Sequence, residues 1–148
     1  MSQDGIKAGF TVKQPAEKIY AAINDVRGWW TGDIEGESDA VGAEFTYRHK
    51  DMHRSQQRVA TLEPNRRVVW RVIDANLSFA AHPEEWTGTD IVFDIVPHGE
   101  ETELRFTHVG ITPACDCYRA CSGGWDFFVN KSLRDLIETG RGRHDFGA

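Results

Sequence analysis

Residues 90–140, DIVFDIVPHGEETELRFTHVGITPACDCYRACSGGWDFFVNKSLRDLIETG, change their apolar period once, and that change decides the fold. Before it, Ile91, Phe93 and Ile95 alternate with Asp90 and Asp94; then Leu104, Phe106 and His108 alternate with Glu103, Arg105 and Thr107. Alternation at period two marks strands covered on one face. ProHisGly at 97–99 joins the strands Asp90–Val96 and Glu103–Val109 into a hairpin. After it, Cys117, Tyr118, Cys121, Trp125, Phe128, Val129, Leu133, Leu136 and Ile137 recur every three or four residues. That stripe predicts a long amphipathic helix, with Thr112 as its cap, Pro113 as its first residue and Gly140 as its stop. Gly123 and Gly124 inside it each cost roughly 1 kcal/mol relative to alanine, which predicts a kink or a frayed first half.

Working back towards the N-terminus, Ile6–Lys13 alternates as a strand, with Ile6, Ala8, Phe10 and Val12 on one face. Pro15 suits a first helical position, and Ala16, Ile19, Tyr20, Ile23 and Val26 give a short amphipathic helix over 15–25, stopped by Gly28. The stretch from Gly28 to Gly42 is glycine-rich and acidic and reads as a loop. Strands follow at Glu44–Arg48, Gln57–Glu63 and Arg67–Asp74, the last two joined by ProAsn at 64–65. In Arg67–Asp74 either Val68, Trp70 and Val72 or Val69, Arg71 and Ile73 face inward, and only the charge on Arg71 favours the first set. Asn76–Gly88, with Phe79, His82 and Trp86, is an irregular stretch of a length usually functional or mobile.

The chain of 148 residues fits a single domain, 1–148, with 40% hydrophobic and 27% charged residues, an ordinary globular balance. Its net charge of -6 and lack of a basic stripe argue against nucleic acid as a partner. No apolar run approaches the ~20 residues of a membrane span. The N-terminus lacks the pattern of a secretory signal, and three cysteines close together do not form a disulfide framework, so a cytoplasmic protein is expected.

The order strand, helix, several antiparallel strands, long helix predicts an α+β fold in which a curved antiparallel sheet wraps around the C-terminal helix. The aromatic residues Phe45, Tyr47, Trp70, Phe93, Phe106, Trp125 and Phe128 then line the space between them. They either leave a cavity or meet and fill it.

The second half of the chain resembles bacterial START-like (SRPBCC) proteins, and more closely homologues of the activator of the heat-shock protein 90 ATPase. The resemblance rests on Trp86-Thr-Gly-Thr, Phe106-Thr-His108-x-Gly110, the spacing of Cys117, Cys121 and Trp125, and Ser132-Leu133 with Leu136. It implies a helix-grip fold of the START and birch-pollen-allergen type with an internal apolar pocket. It does not imply one activity, because fold alone does not fix chemistry.

Candidate residues each carry two readings. His108 faces the interior as a polar anchor or proton carrier, or as a hydrogen-bonded core histidine; burial lowers its pKa either way. Cys117 and Cys121, one turn apart, are packing thiols, a redox pair or part of a zinc site that lacks further ligands. Trp29 and Trp30 gate a cavity mouth, or one is core and the other a lid; Trp86 shares the ambiguity. There is no nucleophile elbow, phosphate loop or HExxH helix, so no catalytic residue, metal or cofactor is assigned. The reading is a binding protein for a small hydrophobic molecule. Its cavity residues are Trp30, Phe45, Tyr47, Trp70, Phe93, Phe106, His108, Cys121, Trp125 and Phe128, and Tyr47, His108 or Arg71 meets polar groups. The alternatives are a module binding a chaperone partner through an exposed apolar patch near Trp29, Trp30 and Trp86, or an enzyme acting through His108. A monomer or a homodimer is expected.

Overall fold

Alternating faces become seven strands of one antiparallel sheet: β1 (Gly5–Val12), β2 (Asp33–Gly36), β3 (Glu44–His49), β4 (His53–Glu63), β5 (Arg67–Leu77), β6 (Asp90–His98) and β7 (Glu101–Val109), in the order β1-β7-β6-β5-β4-β3-β2. The structure is a computed structural model and describes residues 5–30, 33–49, 52–78, 82–115 and 117–142. Register breaks in the β4–β5 pair at Gln56/Gln57 and Val59/Thr61 bend the sheet, as bulges do. In the β6–β7 hairpin Phe93 lies opposite Phe106 and Ile91 opposite His108. Val68, Trp70 and Val72 are the inward set of β5. Phe79 lies outside the described residues.

Between β1 and β2 the chain forms α1 (Ala16–Asn24) and α2 (Val26–Trp29); after β7 come α3 (Tyr118–Phe127), a π-helical segment (Phe128–Leu133) and α4 (Arg134–Thr139). Several expected boundaries move. Pro15 is the extended cap of α1 rather than its first residue, and its carbonyl accepts the Lys18 and Ile19 N–H groups at 3.0 and 3.3 Å. Gly28 does not stop that helix, which ends at Asn24. It lies within α2, where a Cβ would come to 2.6 Å from Asp25 Oδ2 and 3.0 Å from Leu136. The supposed loop over 28–42 therefore holds a helical turn and β2. Thr112 and Pro113 open a turn, closed by Cys115 N–H on Thr112 O at 2.8 Å, and α3 starts only at Tyr118. Helix α3 runs through Gly123 and Gly124, and the irregularity falls later, in the π-helical segment. There Ser132 Oγ donates to Trp29 O at 2.7 Å and Asn130 Oδ1 accepts from Gly9 N–H at 2.9 Å. Gly140 ends α4 with φ of 85°, as expected.

The convex face is a lattice of ion pairs. Arg71–Asp90 (2.7 Å), Arg67–Asp94 (3.3 Å) and Arg58–Glu44 (2.7 Å) link residues directly opposite in neighbouring strands. Asp90 and Asp94 are thus outside, as expected. Arg71 is outside too, so it does not serve the interior, and the proposed polar contact from it is withdrawn. Each such exposed pair contributes at most about 1 kcal/mol. Both outer edges are covered: Arg27 Nη2 donates to the Ile34 and Gly36 carbonyls of β2 at 3.2 and 3.0 Å, and Asn130 takes the Gly9 N–H of β1.

Candidate functional site: an aromatic interior between two neutral histidines

The concave face receives Phe45 and Tyr47 from β3, Trp70 from β5, Phe93 from β6, and Phe106 and His108 from β7. Trp29 and Trp30 descend on it from α2, Trp125 and Phe128 from the C-terminal helices, and Trp86 from the β5–β6 connection. All five tryptophans of the chain are buried. They stack as plates: Trp30 on Tyr47 (centroids 4.0 Å, planes 10° apart), Trp30 near Trp70 (6.0 Å, 7°), Trp29 near Trp70 (6.2 Å, 15°) and Trp86 on Trp125 (5.7 Å, 14°). Phe45, Phe93 and Phe106 meet these plates edge-on or tilted. The ten residues expected to line a cavity do come together, and their rings meet one another across the concavity. Trp29 and Trp30 are both core. An exposed apolar patch at Trp29, Trp30 and Trp86 is absent, because these side chains are inside; the exposed large apolar residues described are Val41 and Met52.

His108 is resolved by its partners. Trp125 Nε1, which can only donate, approaches Nδ1 at 3.0 Å, so the proton sits on Nε2 and is donated to Thr89 Oγ1 at 2.8 Å. The Thr89 hydroxyl in turn donates to Trp86 O at 2.6 Å. Burial, helped by nearby His53, pushes the pKa of His108 down to about 3. With both nitrogens engaged it is a neutral hydrogen-bonded bridge between β7, α3 and the Trp86 loop. The proton-carrier role, and with it an enzyme acting through His108, finds no free ring nitrogen.

A second line of polar groups went unassigned in the sequence. His53 Nε2 lies 2.9 Å from Ser55 Oγ, and Ser55 and Gln57 are fully buried on the inner face of β4. With its amide turned so that both ends are satisfied, Gln57 accepts from Ser55 Oγ and donates to the Phe45 and Ser55 carbonyls at 3.3 Å. Burial, with His49 nearby, takes the His53 pKa to about 3. The His53 ring stands edge-on to Trp86 at 4.6 Å, as does that of His108. Residues 53–58 are polar on both faces, so alternation alone did not reveal this inward row. Burial likewise holds the Tyr47 phenol proton far above its usual range.

Cys117 and Cys121 are buried thiols packed in the interior, and Cys115 is half-buried. A hydrogen bond to Cys121, then burial, raises the pKa of Cys117, the opposite of what a reactive thiolate needs. Cys121 Sγ accepts from Trp86 Nε1 at 3.3 Å. Among the described residues no three His, Cys, Asp or Glu side chains gather as a metal-holding group. An open hollow of about 510 Å³ lined by Lys13, His98, Glu100 and Glu101 lies at the other end of the sheet, away from every aromatic plate.

Residues 13–138 match the family described as activator of Hsp90 ATPase homolog 1-like protein. This chain belongs to that family. The Aha1 protein of Colwellia psychrerythraea, solved in solution as a dimer, is 31% identical, with a TM-score of 0.75 over 94% of this chain and 99% of that one. Two more distant structures share the fold. DynU16, from the dynemicin biosynthetic locus, is 19% identical with a TM-score of 0.70, over 97% of this chain and 51% of its own. CalU16 of Micromonospora echinospora is 12% identical with a TM-score of 0.63, over 90% and 74%. The helix-grip expectation therefore holds. No curated protein matches the chain. No described helix is long and apolar enough to cross a membrane.

Proposed function

We propose that this family member binds a small hydrophobic molecule between the concave sheet face and its C-terminal helices. The observation that carries the reading is the softness of the cover over an otherwise closely stacked interior. Gly123 and Gly124 have room for a Cβ, with nothing within 4 Å, and neither needs a positive φ. They weaken α3 by roughly 1 kcal/mol each without a packing reason. A π-helical segment follows directly, a feature frequent at functional sites. A cover that bends admits a guest where a rigid one would not. The test is native mass spectrometry of freshly purified protein, with thermal shifts against a lipophile panel. Retained mass or a rise in midpoint is expected; the absence of both would overturn the reading.

A second reading follows from the family description: action on an Hsp90-type ATPase, with this chain as a monomer or, like the Colwellia relative, a homodimer. Stimulation of a purified chaperone ATPase by this protein would support it, and an unchanged rate at saturating protein would remove it.

A further inference from the structure

Helix α2 carries Trp29 and is followed at once by Trp30, yet it is only four residues long, closed by the Trp30 N–H on Val26 O at 2.9 Å. A single helical turn is unstable without tertiary support. Its side chains supply part of that support: Trp29 Nε1 donates to Ile23 O at 3.2 Å, and Arg27 reaches the β2 edge. The backbone of the turn is held from the C-terminal helices and the residues that follow them. Ser132, fully buried in the π-helical segment, donates to Trp29 O at 2.7 Å.

Gly142 completes the hold. A Cβ built on it would overlap the Gly28 carbonyl oxygen and lie 3.0 Å from Ser132 Oγ and 3.2 Å from Trp29 Cα. Its backbone therefore rests directly on α2, beside the Ser132–Trp29 hydrogen bond, where any side chain would force the two segments apart. The turn that delivers it is fixed by its own contacts. Gly140 ends α4 in the left-handed conformation. Thr139 Oγ1 donates to Asp135 O at 2.8 Å and accepts the Arg141 N–H at 3.3 Å.

Building on the proposed ligand-binding role, we propose that residues 139–142 form a latch that keeps α2, and with it the Trp29 and Trp30 rings, closed over the aromatic interior, so that its release sets how fast a guest enters. Ser132 ties this latch to the cover. It lies in the π-helical segment, so a bend of the cover there moves the donor that holds Trp29 O. Lifting α2 withdraws the two indoles from Tyr47, Trp70 and Phe93 while the strands stay paired. Opening is then local, a weakly held element parting from a folded body.

Amide hydrogen exchange on the whole protein reads the latch without any ligand. Gly142→Ala adds the carbon that the joint excludes, and Thr139→Val removes the hydroxyl that fixes the turn. Either change should speed exchange at residues 26–30 roughly five- to tenfold, the effect of losing one hydrogen bond. The β6 and β7 amides should keep their parent rates. Should Gly142→Ala loosen the whole fold, those amides would report it, and Thr139→Val, at an exposed position, carries the test. Stopped-flow mixing with Nile red, a neutral dye that brightens in apolar surroundings, should show uptake faster by a similar factor. Unchanged exchange at 26–30 would overturn the latch. Faster exchange with unchanged dye uptake would overturn the gating, placing the entrance elsewhere and leaving the binding interior intact. Dye that enters neither parent nor variants, with a lipophile panel equally silent, would remove the binding interior and the gating with it, whatever the exchange rates.

Discussion

His108 shows how much one residue's role depends on neighbours remote in sequence. Its inward direction was readable from alternation with Leu104 and Phe106, and its lowered pKa from burial. Its role was not, because Thr89 and Trp125 reach it from other elements. The consequence is a pH-dependent stability. In the unfolded chain the imidazole titrates near its ordinary value of about 6.5, whereas in the folded chain it stays neutral down to about 3. Between these values the unfolded state binds the extra proton. Stability contributed by this site is therefore complete above about 6.5 and is lost as pH falls towards 3, with a slope approaching ~1.4 kcal/mol per pH unit. Urea unfolding at pH 7, 6 and 5 should show that fall. His108→Phe should unfold about 2–3 kcal/mol more easily at pH 7, through the unmet Trp125 and Thr89 groups, and should show a shallower fall. An equal slope in the two proteins would mean that His108 titrates in the fold as it does in the unfolded chain, so that burial does not depress its pKa.

At the scale of elements, strands with one polar face were legible, and those whose inward face is also polar were not. Thus β6 and β7 lie where the alternation puts them, each running two residues further towards their hairpin because Pro97 and His98 pair with Thr102 and Glu101, whereas β4 begins four residues before its expected start because His53 and Ser55 look like surface. The start of α3 was misplaced for a different reason. Thr112 and Pro113 are good helix openers locally, but Glu85 Oε1 takes the Cys117 N–H at 3.1 Å, a contact between segments distant in sequence. Two predictions belong here. Replacing Gly123 and Gly124 by alanine should raise stability by about 1 kcal/mol each, since no atom opposes the new Cβ, and should slow the uptake of fluorenone, a flat apolar tricyclic probe, in stopped-flow mixing. Unchanged uptake in the stiffened protein would separate the glycines from access. Arg27→Ala should leave the Ile34 and Gly36 carbonyls bare on the β2 edge. Stability should change by less than about 1 kcal/mol, while light scattering on storage should rise, as expected of an uncovered edge strand.

For the whole molecule, the order of elements already contained the sheet and its C-terminal helix, but not how the concavity is filled. Side-chain volume between two curved surfaces depends on their separation, which no spacing in the sequence records. The structure fills it with the protein's own plates, and the largest question is whether the Trp30 plate and a guest compete for one place. Trp30→Ala puts the two in direct opposition. Removing the indole should destabilise the protein by about 3–5 kcal/mol through lost burial and the void left among Tyr47, Trp70 and Trp125. A domain with an ordinary 5–15 kcal/mol in hand can remain folded after such a loss. Apolar voids of this kind take up flat aromatic molecules. Fluorenone should therefore bind the variant more tightly than the parent, because it no longer displaces a resident ring, and should restore part of the lost melting temperature by mass action. If the variant is destabilised as expected but binds fluorenone no better than the parent, Trp30 is only core, and guest and plate do not share a berth.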